Sequence, residues 1–183
     1  MSKFNAKKIV VDGIKFDSEV ESRYYAHLMR LKAMGEIKEF TMQPAFVLQE
    51  AFTKHGKDYP AIKYKADFQV WYIDGTTKVI DIKGMKTPEF KLKEKLYAKQ
   101  FDVQLICICE SKIDGGWIEF EALQKARAAR KKEKEKLEKA ILKDFNSIVL
   151  TRNVSTKDTI GHLATKYSVT VNRVKKLVEK GNK

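Results

Sequence analysis

With 183 residues, 43% of them hydrophobic and 33% charged, the chain can bury one core of ordinary size and carry an appendage. Lys and Arg number 37 against 24 Asp and Glu, a net charge of +13, and an excess of that size implies an anionic partner, since Lys and Arg on phosphates supply most non-specific nucleic-acid affinity. An anionic membrane surface would attract the same charge, but no apolar run is long enough to span a bilayer and no anchor motif occurs, which argues against a membrane partner.

The opening MSKFNAKKIVVDG lacks the apolar h-region of a signal peptide, so a cytoplasmic location is expected. Cys107 and Cys109 are the two cysteines, spaced C-x-C inside the apolar run QLICICES. Alternation puts both on one face of a buried strand, without the further Cys or His that zinc requires, so they read as packed, reduced thiols. His27, His55 and His162 are scattered and read as surface or packing residues.

In chain order, Lys8 to Phe16 reads as a hairpin or extended turn about Asp12-Gly13. Ser18 opens a helix to about Met34, stopped by Gly35, with Val20, Tyr24, Leu28 and Leu31 as its apolar stripe. Glu21 sits one position off that stripe. Ser18-Glu19-Val20-Glu21 also fits the S-x-x-E capping box, so capping and metal chemistry are both open for it by spacing alone. Glu19 is the alternative acid if the helix is rotated.

Glu36 to Glu50 holds a strand interrupted by Pro44, so one end is an edge or begins after the proline. Gln43, just before it, is either an edge-strand glutamine or an amide that holds a phosphate or a metal-bound water. Ala51 to Pro60 reads as a polar loop, solvated or lying along DNA.

From Tyr64 to Lys99 the apolar positions alternate on both sides of Asp74-Gly75 and then change to helical spacing, which predicts two strands, a turn at Gly84 and a basic amphipathic helix. Strand alternation assigns Phe68, Val70, Ile80 and Ile82 to one face, and Asp67, Asp81 and Lys83 to the other. A three-residue loop, Asp74 to Thr76, would set Asp67 opposite Lys83 with Asp81 diagonal to it. Two carboxylates that close are costly without a cation between them, and hard oxygen ligands suit Mg²⁺ or Mn²⁺.

In the helix that follows, Thr87 caps, Pro88 takes the first position, and Phe90, Leu92, Leu96 and Tyr97 pack inward. Lys86, Lys91, Lys93 and Lys95 are then left exposed near the acids, either simply solvated or meeting DNA phosphates. Phe101 to Glu110 is a buried last strand reached by a helical crossover, hence parallel to a neighbour, and Gly115-Gly116 ends the unit.

From Glu119 to about Asn146 strong helix formers and alternating charges predict a long exposed helix joining two domains, with dimerisation through it as the alternative. From Thr151 onward eight Lys or Arg stand against two acids. There Ser155 to Asp158 signals a cap, Ile160, Leu163, Ala164 and Tyr167 follow at helical spacing, and a second helix carries Val171, Val174, Leu177 and Val178. This pair resembles a helix-turn-helix, with Ser168 where Gly is common in the turn. Thr170, Asn172, Arg173 and Lys176 would be its recognition residues for DNA. A small helical hairpin for protein contact is the other reading.

Asp67, the triplet Asp81-Ile82-Lys83 and Glu21 in a preceding helix together resemble the PD-(D/E)XK nuclease superfamily. More closely, FDSEVESRYYAHL, the Gln43-Pro44 pair, YKADF and DIKGMKTPEFKLKEKLY are similar to a phage-encoded family of unassigned function placed in that superfamily, over roughly residues 10 to 110. The resemblance implies an α/β restriction-endonuclease-like core at 1–118; beyond it the composition and helical spacing described above give a charged helical linker at 119–150 and a helix-turn-helix DNA-binding domain at 151–183. It implies an Mg²⁺- or Mn²⁺-dependent DNA endonuclease acting on replication or recombination intermediates. Asp67 and Asp81 would be metal ligands with the Ile82 carbonyl, Glu21 would hold a second ion or orient water, and Lys83 would position the attacking water. Rival expectations are a non-catalytic DNA-binding accessory protein and a transcription regulator.

Overall fold

A computed structural model of the chain describes residues 8–152 and 154–181. They fall into two compact units, divided between Leu123 and Gln124.

The first unit opens with a hairpin, β1 (Ile9–Val11) and β2 (Ile14–Phe16), whose turn residues Asp12 and Gly13 both take positive φ, 51° and 76°. Helix α1 (Glu19–Ala33) follows, with the Ser18 hydroxyl accepting the Glu21 amide at 3.2 Å and Gly35 in the left-handed region just past its end. Strand β3 (Ile37–Met42) ends just before Gln43, and β4 (Ala45–Gln49) begins after Pro44, as the proline requires. Then come β5 (Phe52–Lys54), β6 (Lys57–Tyr59), β7 (Ile62–Lys65), β8 (Phe68–Tyr72) and β9 (Thr77–Ile82). Helix α2 (Pro88–Gln100) is capped by Thr87, with proline first as expected, and leads to β10 (Gln104–Ser111) and β11 (Gly116–Glu119).

The architecture is α/β: a mixed five-stranded sheet, ordered β11-β10-β9-β8-β3, flanked by helices. Strands β3, β8 and β9 run antiparallel in sequence, and α2 makes the crossover that leaves β10 parallel to β9. One core gathers Phe16, Tyr24, Leu28, Phe68, Val70 and Ile80 under α1 and the first hairpin. A second gathers Leu48, Tyr64, Val79, Phe90, Tyr97 and Cys107 under α2 and the β4–β7 ribbon. Each fully buried side chain such as Leu28 or Val79 contributes about 1.5–3 kcal/mol of transfer free energy.

Cys107 and Cys109 are both buried free thiols; Cys107 is pushed up to about 12 chiefly by burial, and the Cys109 thiol donates to the Lys83 carbonyl at 2.8 Å.

Three expectations need correction. Residues 51–60 are no polar loop, because β5 and β6 pair as a hairpin turned by His55 and Gly56, both at positive φ. Leu92 does not pack inward; it stands about 200° round α2 from buried Phe90 and is 58% exposed. Gly115-Gly116 does not end the unit, since β11 adds an antiparallel edge on which Trp117 meets Tyr24, ring centroids 4.8 Å apart.

Helix α3 (Phe120–Arg152) runs from the first unit into the second. The charged segment expected as a linker is exposed throughout 127–136, while Ile141 and Phe145 farther on are buried against the last two helices. These are α4 (Thr156–Lys166), capped by Ser155, and α5 (Val171–Gly181). Their shared core is Ile160, Leu163, Ala164, Val174 and Val178; Val171, the first residue of α5, stays 53% exposed. Ser168 between the two helices takes φ 51°, the conformation for which glycine is favoured. Among the described residues no helix is long and apolar enough to cross a membrane.

Candidate metal centre

Strands β8 and β9 set the site. Their ladder pairs Phe68 with Ile80 and Trp71 with Thr77, so the loop is Ile73-Asp74-Gly75. It has the expected three residues but begins one earlier, because the Asp74 carboxylate takes the Thr76 amide at 2.8 Å and hydroxyl at 2.7 Å, and the Tyr72 amide bonds the Thr76 carbonyl. One step back along the ladder from Phe68 and Ile80, Asp67 therefore lies beside Asp81, with Lys83 on the diagonal. The expected arrangement had these two partners exchanged.

Regular pairing stops at Asp67. Its amide donates to the Ile80 carbonyl at 3.2 Å, its carbonyl accepts the Gln43 amide at 2.8 Å, and its Oδ2 accepts the Ile82 amide at 2.6 Å. Ile82 thus meets the site through its N–H. Asp81 is 3% exposed, with Oδ1 2.8 Å from Lys83 Nζ and Oδ2 accepting from the Tyr64 hydroxyl. Lys83 Nζ also lies 4.6 Å from the centre of the Phe90 ring.

The electrostatics are those of crowded acids. Asp67 is pushed up to about 8, first by burial and next by the charge of Asp81, with the Ile82 amide opposing and Glu21 adding. Glu21 is raised by burial, with Asp17 and Asp81 adding and the Ser18 hydrogen bond opposing. Burial, then Asp81, raises Tyr64 far above an ordinary phenol, so it stays a hydrogen-bond donor.

Glu21, Asp67, Asp81 and Lys83 therefore share one electrostatic neighbourhood. The Glu21 side chain itself turns back onto the cap residue, Oε1 accepting from the Ser18 hydroxyl at 2.8 Å. Glu19, the alternative acid, faces away from this set and pairs with Arg23 at 2.8 Å.

Tyr64 is the site residue that pairing logic missed. It belongs to β7, which pairs with β4 outside the main sheet, so no ladder relates it to Asp81. Its place in YKADF, three residues before Asp67, is the one signal that could have found it.

The expected DNA contacts divide. Gln43 is exposed in the turn between β3 and β4, at φ 54°. Lys86, expected exposed, is not: its side chain is 9% accessible, 2.6 Å from Glu94, paired also with Glu121 and near the rings of Phe90 and Phe120. Burial acts to lower its pKa, and the two glutamates more than reverse that, so Lys86 clips α2 to the start of α3 and is spent as a phosphate ligand. Lys91 and Lys95 are exposed, and Lys93 pairs with Glu89 at 2.9 Å.

In the second unit Asn172 and Lys176 are exposed on α5. The Thr170 hydroxyl accepts the Arg173 amide at 3.3 Å, and Arg173 itself lies 3.7 Å from Glu138.

The donor chemistry fits a hard divalent ion: two carboxylates side by side, one holding a proton to neutral pH that a cation could replace. Full assembly is another matter. Among the described residues no three His, Cys, Asp or Glu side chains form a group able to hold a metal; Ser18 engages Glu21, and Lys83 and Tyr64 engage Asp81.

No curated protein and no solved structure matches the chain. A family described as Protein of unknown function (DUF1064) matches residues 1–114, the span that includes α1, the β8–β9 hairpin, α2 and β10. Covering more than half of the 183 residues, that match shows that the chain belongs to this family.

Proposed function

We propose that the protein is a metal-dependent DNA endonuclease of PD-(D/E)XK type, acting on phage replication or recombination intermediates. The observation that carries the reading is Asp67 beside Asp81 across adjacent strands, with Lys83 Nζ 2.8 Å from Asp81. The order of elements supports it: a helix, three antiparallel strands, a crossover helix and a parallel strand is the arrangement that superfamily shares. The net charge of +13 supports DNA as the partner.

Asp67 and Asp81, with the Ile82 carbonyl, would hold Mg²⁺ or Mn²⁺, and Glu21 would join them on leaving Ser18. Such an ion, when bound, supplies Lewis-acid activation of water and positive charge opposite the phosphate. Lys83, oriented by Asp81 and packed on Phe90, hydrogen-bonds the attacking water and steadies charge on phosphorus. Hydrolysis adds water across one P–O bond and needs no covalent enzyme intermediate. The α4–α5 pair, in its helix-turn-helix reading, would hold duplex DNA through Asn172 and Lys176, with Lys91 of α2 meeting phosphates nearer the acids.

The test is Mg²⁺-dependent cleavage of supercoiled and branched DNA, with Asp81→Ala as control. Activity should fall by about a thousandfold in the variant. Cleavage that survives the substitution discredits this site. A non-catalytic DNA-binding role is the second reading, favoured by the engagement of Glu21 with Ser18 and of Asp81 with Tyr64; it predicts DNA binding without metal-dependent cleavage in the wild-type chain.

A further inference from the structure

The β5–β6 hairpin lies outside both cores of its unit, and every residue from 51 to 60 is exposed. Its register sets Phe52 opposite Tyr59 and Lys54 opposite Lys57. Directly opposed residues share a face and alternate ones do too, so all four side chains stand on one side of the ribbon. The rings of Phe52 and Tyr59 are stacked, centroids 4.7 Å apart and planes within 7° of parallel, yet the residues remain 42% and 38% exposed. Lys57 Nζ sits 5.3 Å from the centre of the Tyr59 ring.

The opposite face is self-contained, the Thr53 hydroxyl donating to Asp58 at 2.6 Å. On the aromatic face two lysines oppose each other, and neither has an acidic partner among the described residues. Like charges in direct cross-strand register are unfavourable, and an anion would relieve them. Lys63 and Lys65, exposed on β7 at the base of the ribbon, extend the positive charge.

We propose that this face is a stacking platform for unpaired bases of DNA: Phe52 and Tyr59 extend their stack onto a base, while Lys54 and Lys57 meet the flanking phosphates. Flat rings interleaved with cations are the chemistry by which proteins grip single strands without reading sequence. The inference rests on DNA as the substrate of the proposed nuclease and adds to it a preference for branched or single-stranded segments.

The experiment is fluorescence anisotropy with the full chain in EDTA, where no hydrolysis occurs, on labelled dT20 and on a labelled 20-base-pair duplex. Phe52→Ala with Tyr59→Ala should weaken dT20 binding by on the order of tenfold or more and leave duplex binding nearly unchanged. Phe52→Trp with Tyr59→Trp should keep dT20 affinity, which separates stacking from damage to the hairpin. No loss in the alanine variant, an equal loss on both DNAs, loss in the tryptophan variant, or tighter wild-type binding to U20 RNA than to dT20 overturns the proposal. A chain that never cleaves but shows the selective loss supports the platform and removes the nuclease; one that cleaves without the selective loss does the reverse.

Discussion

Asp81 and Lys176 carry opposite charges in opposite settings. Asp81 is 3% exposed in the middle of a sheet, its two oxygens taken by a lysine and a tyrosine. Lys176 is exposed on α5, in a unit whose core is apolar apart from buried Thr159. A buried charge is tolerated only with partners, and its partners then fix geometry to the accuracy that chemistry needs. An exposed charge fixes nothing but adds to a long-range field that DNA feels. In the proposed reading the first unit would carry out the reaction and the second would hold duplex DNA, and each should fail without disabling the other.

The largest expected effect tests that separation. Leu163 is fully buried between α3, α4 and α5, so Leu163→Ala should cost about 2–5 kcal/mol. Calorimetry should show the second unit melting earlier while the first keeps its transition. DNA affinity should drop with it, whereas Mg²⁺-dependent cleavage at saturating DNA should persist. Loss of both transitions together would mean that the two units fold as one.

Asp67 offers a sharper probe of the buried set. Its pKa is raised from 3.8 to about 8 in the folded chain, so between those values the folded state holds a proton that the unfolded state has released. The extra stability is present in full below the unfolded pKa and is lost as pH rises through the folded one. Melting temperature without metal should therefore fall as pH rises from about 4 to about 8, then level off. Asp67→Asn should flatten the slope, and Mg²⁺ should flatten it as well by replacing the proton. A slope unchanged by the substitution would remove Asp67 as its source.

The same contrast explains which parts were legible in the sequence. Ser18, Thr87 and Ser155 each cap a helix by bonding an amide three residues on, a local event that local residues announce. Alternation likewise told which residues share a face, and the odd loop length followed from it. The offset did not, because it depends on Asp74 folding over Thr76, and parity alone is the same for either register. The 52–59 hairpin was missed because its left-handed turn residue is His55, where Asn or Asp is the usual signal. The roles of Lys86 and Tyr64 are not legible for another reason: Glu121 is 35 residues from Lys86, Asp81 is 17 from Tyr64, and neither pairing follows from helical or strand periodicity.

Tyr64 gives the smallest and most discriminating test of how the buried acid is held. Tyr64→Phe removes the hydroxyl that donates to Asp81 Oδ2 and leaves a buried oxygen short of a partner, at a cost of about 1–3 kcal/mol. The ring itself, packed between Phe46, Phe90 and Tyr97, is retained, so the loss reads the hydrogen bond alone. If Asp81 is a metal ligand, the freed oxygen gains a second use. Thermal melts of wild type and variant should then differ clearly in EDTA and draw together as Mg²⁺ is added, because the ion supplies the partner that the phenol withdrew. A difference that stays constant across the Mg²⁺ titration would mean that Tyr64 and Asp81 form a structural pair, and that no cation reaches this carboxylate.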